Sequence, residues 1–148
     1  MKILVMGLPG SGKTTLAKVL AHKLKAVHFN ADEVRQNINR DLGFALADRE
    51  EHARRMGWLC DQVVSAGHHA VADFVCPTRT TRAAFGHAFV IYMNTIHAGR
   101  YADTNALFEA PLSDEYNCMI NSQDAEAHAD YICELLKKMD KPNLFEVD

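Results

Sequence analysis

No apolar run in this sequence approaches the roughly twenty residues that a membrane-spanning helix needs. The first apolar stretch, Ile3-Leu4-Val5-Met6, is too short for a secretory signal and leads straight into a glycine loop. Cysteine is sparse: Cys60, Cys76, Cys118 and Cys133 are widely spaced and form no C-x-x-C pair. They read as reduced thiols, and the expected location is cytoplasmic. The eight histidines show neither H-E-x-x-H nor paired ligand spacing, so a transition-metal site is not expected. An excess of positive charge is also missing. Sixteen Lys and Arg against 19 Asp and Glu give a net charge of −3, which argues against a long nucleic acid as partner. An anion site must then be built from a few local arginines and backbone amides. There is no internal repeat, low-complexity segment or linker, so one domain over residues 1–148 is expected. The sequence does not fix an oligomeric state, and a homodimer is allowed.

What the chain does have is Gly7-Leu8-Pro9-Gly10-Ser11-Gly12-Lys13-Thr14, which satisfies G-x-x-x-x-G-K-[ST] at every fixed position. An apolar run precedes it and a helical pattern, Leu16-Ala17-Lys18-Val19-Leu20, follows it. Strand, glycine loop and helix are the context this motif needs. Glycines let backbone N–H groups turn inward around phosphate oxygens, and the helix start adds its positive dipole end. The motif implies a bound nucleoside triphosphate on Gly7, Pro9, Gly10, Ser11, Gly12, Lys13, Thr14 and Thr15. Lys13 would reach the β- and γ-phosphates, and the Thr14 hydroxyl would ligate Mg²⁺.

Further along, apolar strand patterns alternate with helical ones. Strands are expected near residues 2–6, 26–30, 69–74, 88–93 and 118–120. Helices are expected near 13–25, 32–39, 48–65, from about 78, and 124–138. Gly67 would follow the end of the third helix. Residues 99–111 read as a mobile loop. The alternation argues an α/β fold with a parallel sheet covered on both faces, with ligands outside the carboxyl ends of the strands.

The second strand runs into Asn30-Ala31-Asp32-Glu33-Val34-Arg35. An aspartate there can take a proton from an attacking hydroxyl, and an arginine one turn later can hold an anion. Asp32 as a helix N-cap with a solvent-exposed Arg35 explains the spacing equally well. The residues that follow, Asn39-Arg40-Asp41-Leu42-Gly43-Phe44, Asp48-Arg49-Glu50-Glu51, Arg54-Arg55-Met56-Gly57, and then Phe74-Val75-Cys76-Pro77-Thr78-Arg79 with Arg82, resemble adenylylsulfate kinases. The resemblance runs from the phosphate loop to Pro111. It implies the three-layer sandwich of P-loop kinases around a parallel sheet, with ATP and Mg²⁺ as cofactors. It also implies phosphoryl transfer to the ribose 3′-hydroxyl of adenosine 5′-phosphosulfate, a small-molecule nucleotide, in sulfate assimilation. The implied substrate site is Arg35, Phe44, Arg49 and the turn Val75, Cys76, Pro77, with Phe44 stacked on adenine. Arginine forks suit phosphosulfate oxygens, and an aromatic face suits a base. Phe44 as a core plug and Arg49 as a surface ion-pair partner remain the plainer alternatives.

The chain departs from the family at several points. Where the family has Asp-Gly-Asp, this chain has Asn30-Ala31-Asp32, so the first acid is an amide. Asn30 can position a hydroxyl but cannot accept its proton, and Asp32 is then the expected general base or holder of a Mg²⁺-bound water. Its D-x-x-R spacing with Arg35 also resembles phage-type polynucleotide 5′-kinases. His52 stands where the family has asparagine, Cys76 where it has serine, and Asp73 where it has serine or alanine. An acid ending the apolar run Ala70-Val71-Ala72 is where a carboxylate can order Mg²⁺, which makes Asp73 a candidate with Thr14 and a substitute for the acid missing at Asn30. A turn residue is the alternative for Asp73, and a small buried hydrophobe for Cys76. The lid between Met93 and Glu109 is short, with Arg100 its one Lys or Arg. The expected catalytic set is therefore Lys13, Asp32 and Arg35, with Asn30, Phe44, Arg49, His52, Val75, Cys76 and Pro77 around the acceptor. A kinase of a nucleoside, nucleotide or polynucleotide 5′-end, and a nucleotide-binding regulator without kinase activity, remain open beside adenosine phosphosulfate.

Overall fold

Parallel strands require crossovers of a dozen or more residues, which the helices between the apolar runs supply. The computed structural model describes residues 1–99 and 101–139. In chain order the elements are β1 (Lys2–Met6), α1 (Lys13–Leu24), β2 (Val27–Asn30), α2 (Ala31–Asn37), α3 (Leu46–Ser65), β3 (Ala70–Phe74), α4 (Arg79–Phe85), β4 (Phe89–Met93), α5 (Ala102–Leu107), β5 (Cys118–Ile120) and α6 (Ala125–Met139). The strands form one sheet in the order β2-β3-β1-β4-β5, and every pairing is parallel.

Burial follows position in the sheet. Every residue of β1 and β3 is buried, as expected for central strands covered on both faces. Ile3, Val5 and Val71 pack with Leu16 and Leu20 of α1 and with Ile132 and Leu136 of α6. Leu4, Met6 and Ala72 pack on the opposite face with Met56 and Cys60 of α3 and Phe85 of α4. The α6 stripe Ala129, Ile132, Leu136 has the spacing of one helical face.

The α3 helix ends at Ser65, and Gly67 follows with φ +88°, the left-handed turn that glycine adopts without strain. At the other edge of this layer Lys2 is buried to 9% exposure. Its ammonium donates to the Phe85 carbonyl at 2.7 Å, pairs with Asp61 at 3.0 Å and lies 4.5 Å from the Phe85 ring centroid. A cation at the last turn of α4 suits the negative end of that helix.

One expectation is corrected. Residues 99–111 are not simply a loop: they contain α5. Six residues are too few for an apolar periodicity to stand out. The segment is held by tertiary contacts instead. Thr104 is buried, Asn105 exchanges two hydrogen bonds with Gly99, and Phe108 stacks on Tyr92 at 6.3 Å between centroids. Arg100, the one Lys or Arg between Met93 and Glu109, lies outside the described residues.

The tightest point of the helical layer is Gly57 on α3. A Cβ there would lie 2.1 Å from the Phe85 carbonyl oxygen and 2.9 Å from its carbon. Backbone cannot yield as a flexible side chain would. Gly57→Ala should therefore destabilise the fold by about 2 kcal/mol or more, read as a lower urea midpoint with an unchanged m-value.

Candidate functional site

The loop between β1 and α1 is shaped by its glycines. Gly7, Gly10 and Gly12 have φ +153°, +86° and +97°. A Cβ on Gly7 would lie 2.7 Å from the Met93 carbonyl, so that position also needs glycine for space. Gly12 is the N-cap of α1, which therefore points its free amides into the loop. Thr95 donates to the Ser11 carbonyl at 2.7 Å and ties the loop to the end of β4. Lys13 is buried to 8% exposure, and its ammonium donates to Leu8 O within the loop at 2.8 Å.

Behind the loop sits a buried carboxylate. Asp73 is 2% exposed and paired in register with Asn30 across the β2–β3 ladder. Its Oδ1 accepts from Thr14 Oγ1 at 2.8 Å and from Asn30 Nδ2 at 3.0 Å, and its Oδ2 is bonded to His28 Nε2. Asp73 is thus a strand residue and not a turn residue. Asn30, not Asp32, is the N-cap of α2: its Oδ1 accepts from the Glu33 amide at 3.0 Å. Asp32 is left in the first turn of α2, exposed, with its side chain on the cleft.

No group of three or more His, Cys, Asp or Glu side chains forms a metal cage among the described residues. Thr14 and Asp73 supply hard oxygen atoms beside Lys13. This donor set fits Mg²⁺, which keeps several waters and is held by one or two protein oxygens together with substrate phosphates. When bound, the ion would neutralise phosphate charge, with Thr14 and Asp73 as its protein partners.

A cleft of about 660 Å³ runs from this cluster to a second group of residues. Lys13, Thr14, Asn30, Asp32 and Asp73 line one end, and Arg35, Phe44 and Arg49 the other. The loop of residues 38–45 that presents Phe44 is pinned at nearly every step. Asp41 takes two bonds from Arg55, at 2.8 and 2.9 Å, and the Gly43 amide donates to Asp48. Arg35 donates to the Gly43 carbonyl at 2.9 Å, and Arg49 to the Phe44 carbonyl at 2.8 Å. Both guanidiniums also approach the Phe44 ring, at 4.5 and 5.7 Å from its centroid. Phe44 is 65% exposed, so it does not plug the core. Partial burial holds the Arg35 guanidinium below its ordinary pKa, and the like charge of Arg49 adds to this. Two cations facing one cleft make a site for an anion.

The remaining expected residues fall at two depths. Val75, Cys76 and Pro77 line the cleft. Cys76 is fully buried and has φ +47°, a left-handed conformation rare for a residue with a side chain. Burial pushes its thiol up to about 12. Its carbonyl accepts from Arg82 at 2.9 Å, and a second arm of Arg82 holds the Glu109 carbonyl. The Glu109 amide in turn donates to Pro77 O at 2.7 Å, which fastens the far end of the lid to this turn. His52 does not line the cleft. It is buried, with Nδ1 hydrogen-bonded to Asn39 at 2.9 Å and its ring in a T-shaped contact with Phe74 at 6.3 Å between centroids.

Several cleft residues escaped the sequence reading. Tyr101, Asp103 and Thr104 of the lid line it, and Asp103 lies 3.8 Å from Arg49. A smaller cavity of about 130 Å³ lies against the start of α1 and is bounded by Gly12, Thr15, Ser122, Gln123 and His128. Asn121-Ser122-Gln123-Asp124 directly after β5 was the available signal, since ligands collect at strand ends.

Burial pushes the His52 imidazole down to about 4, the Arg35 charge adds to this, and the Ala31 backbone opposes it. Between the ordinary value of 6.5 and 4, the unfolded chain takes up a proton that the folded chain excludes. Stability from this residue is therefore complete above pH 6.5 and falls as the pH drops toward 4. Urea midpoints at about pH 5 and about pH 7 should differ more in the wild type than in His52→Asn, which has no proton to gain.

Known proteins resemble this chain in sequence and in fold. The family model for adenylylsulphate kinase matches residues 1–110. The bifunctional enzyme NodQ of Azospirillum brasilense is 30% identical over 89% of this chain and 26% of its own length. The adenylyl-sulfate kinase of Shewanella sp. strain ANA-3 is 41% identical over 51% of this chain and 40% of its own length. The chain thus matches well under half the length of these curated relatives. Among solved structures, the APS kinase CysC of Mycobacterium tuberculosis, determined with AMPPNP and APS, superposes with a TM-score of 0.80 at 21% identity. That match covers 92% of this chain and 96% of that one. Shikimate kinase of Acinetobacter baumannii follows at 0.59 and 14% identity, covering 95% of each. These likenesses establish the P-loop kinase fold. With a family match that spans the loop, the cleft and the lid, the chain belongs to the adenylylsulphate kinase family.

Proposed function

We propose that the protein is an ATP-dependent kinase acting on a hydroxyl of a small anionic acceptor, with the 3′-hydroxyl of adenosine 5′-phosphosulfate as the first candidate. The observation that carries this reading is the single cleft with Lys13, Thr14 and Asp73 at one end and Arg35, Phe44 and Arg49 at the other. A triphosphate on the loop and an acceptor against Phe44 would share that cleft. The bound and solved state of the Mycobacterium tuberculosis enzyme, with AMPPNP and APS, supports the assignment by kinship.

In this reading Lys13 leaves the Leu8 carbonyl for the β- and γ-phosphate oxygens. The α1 amides carry part of the remaining charge. Thr14 and Asp73 would hold Mg²⁺, which would supply charge neutralisation at the phosphates. Asp32 orients the acceptor hydroxyl and takes its proton. Arg35 and Arg49 hold the acceptor's anionic group, and Phe44 offers its exposed face to the base. The cavity beside Gln123 is the place for the donor's nucleoside, since it adjoins the phosphate loop at Gly12 and the start of α1 at Thr15 and Leu16. Catalysis on this scheme is positioning and electrostatics, with no covalent intermediate on the protein.

A second reading keeps the reaction and changes the acceptor. Asp103 beside Arg49 lowers the positive charge at the acceptor end. That favours a nucleoside or a nucleotide with less charge than a phosphosulfate. A panel of acceptors with labelled ATP separates the two. Transfer confined to adenosine phosphosulfate supports the first, and tight ATP binding with no transfer to any acceptor would leave a nucleotide-binding regulator.

Lys13→Ala should abolish transfer. Asp32→Asn should lower kcat by about 100-fold or more while leaving ATP affinity nearly unchanged. Wild-type turnover in Asp32→Asn would remove Asp32 from the mechanism.

A further inference from the structure

Asp73 is held more firmly than contact with a cation requires. Its two oxygens have separate partners: Oδ1 faces Thr14 and Asn30, and Oδ2 is turned to His28. The reach of His28 follows from strand geometry. His28 and Asn30 are two residues apart on β2 and so share a face of the sheet. Asn30 is in register with Asp73, which brings His28 alongside the same carboxylate from the edge strand. The His28 side chain is largely shielded, at 18% exposure, and Asp73 is 2% exposed. A residue needed only to cover the sheet edge would be apolar and would leave Asp73 Oδ2 without this donor.

We propose that His28 is a positioning residue for the nucleotide–metal site. Donating from Nε2, it fixes the rotation of the Asp73 carboxylate, so that Oδ1 stays on Thr14 and keeps the Thr14 oxygen turned toward the phosphate loop. This rests on the assignment of Thr14 and Asp73 to Mg²⁺·nucleotide, and is independent of which acceptor is used. Losing the donor leaves Oδ2 buried and unpaired, which favours another carboxylate rotamer and loosens Thr14 with it. Partners that orient metal-binding groups from outside typically change metal affinity about 10–100-fold.

Three variants test this. His28→Leu removes the donor, and His28→Gln keeps an amide N–H close to the place of Nε2. His28→Asn keeps an amide but lacks the reach, and it serves if the leucine variant does not fold, as judged by thermal melting. ATP binding is measured by calorimetry in excess Mg²⁺ and again in EDTA, and Mn²⁺ uptake by the ATP complex is measured by electron paramagnetic resonance. The leucine or asparagine variant should weaken ATP binding in Mg²⁺ about tenfold and Mn²⁺ uptake similarly, with ATP binding in EDTA unchanged and with glutamine restoring most of the loss. Wild-type binding in both media by the leucine and asparagine variants overturns the proposal. So does an equal loss with and without metal that glutamine fails to rescue, because that pattern marks a role in folding only. These readouts involve no acceptor. A wild-type protein that transfers phosphate to nothing would therefore end the kinase reading while leaving the His28 result to stand or fall separately.

Discussion

A carboxylate buried at the end of a central parallel strand needs hydrogen-bond partners for both of its oxygens. Asp73 meets that condition with Thr14 of α1 and with Asn30 and His28 of β2. Their convergence sets much of the architecture around it. Thr14 must enter at the first turn of α1, which fixes how the glycine loop folds over the sheet. Asn30 must sit opposite Asp73, which fixes the β2–β3 register. Asn30 then spends its other polar atom on capping α2. One buried carboxylate therefore links the phosphate loop, an edge strand and the helix that carries Asp32 and Arg35.

The far end of the cleft is organised by cations instead. Arg35 and Arg49 repel each other, and two fixed partners hold them in place. Each donates to a backbone carbonyl of the loop that carries Phe44, and each faces the ring itself. Contacts of this kind are worth about 0.5–1 kcal/mol each where exposed. Their effect here is mainly geometric. The guanidiniums are tethered before any anion arrives, so less side-chain entropy is lost on binding. His52 contributes as well. Its buried neutral ring holds Asn39, and Asn39 and Asp41 are both held by Arg55.

The sheet was legible in the sequence because central parallel strands are uninterrupted apolar runs. The phosphate loop was legible because glycine spacing is a backbone requirement. Arg35 was legible as an arginine one turn after Asp32 at a strand end, whereas Phe44 and Arg49 were picked out through resemblance alone, since nothing in local spacing brings them to the same cleft. Asn30 illustrates a local competition: both Asn30 and Asp32 are good cap residues, and the strand end decides between them. His28 was not legible at all. It stands in a histidine-rich chain without ligand spacing, and its partner lies 45 positions away. Only the register of two strands brings them together. The lid helix α5 was missed for a related reason, because its order comes from Tyr92 and Gly99 rather than from its own six residues.

Two departures from the family pattern become one change when viewed at this cluster. Asn30 stands where the family has an acid, and Asp73 stands where it has a small neutral residue. In the fold the two side chains are 3.0 Å apart, with the amide donating to the carboxylate. Aspartates at both positions would set two carboxylates in contact, and one would have to hold a proton. An amide at both would leave the cluster without charge for a cation. The pair tolerates one acid, on either strand, with a donor opposite it. An acid on β3 lies within hydrogen-bond reach of Thr14 and His28, and the amide at the end of β2 donates to it while its oxygen caps α2. The exposed Asp32 is then the remaining acid on α2 that faces the cleft, which is why the proposed base and the proposed metal partner fall on different strands' ends.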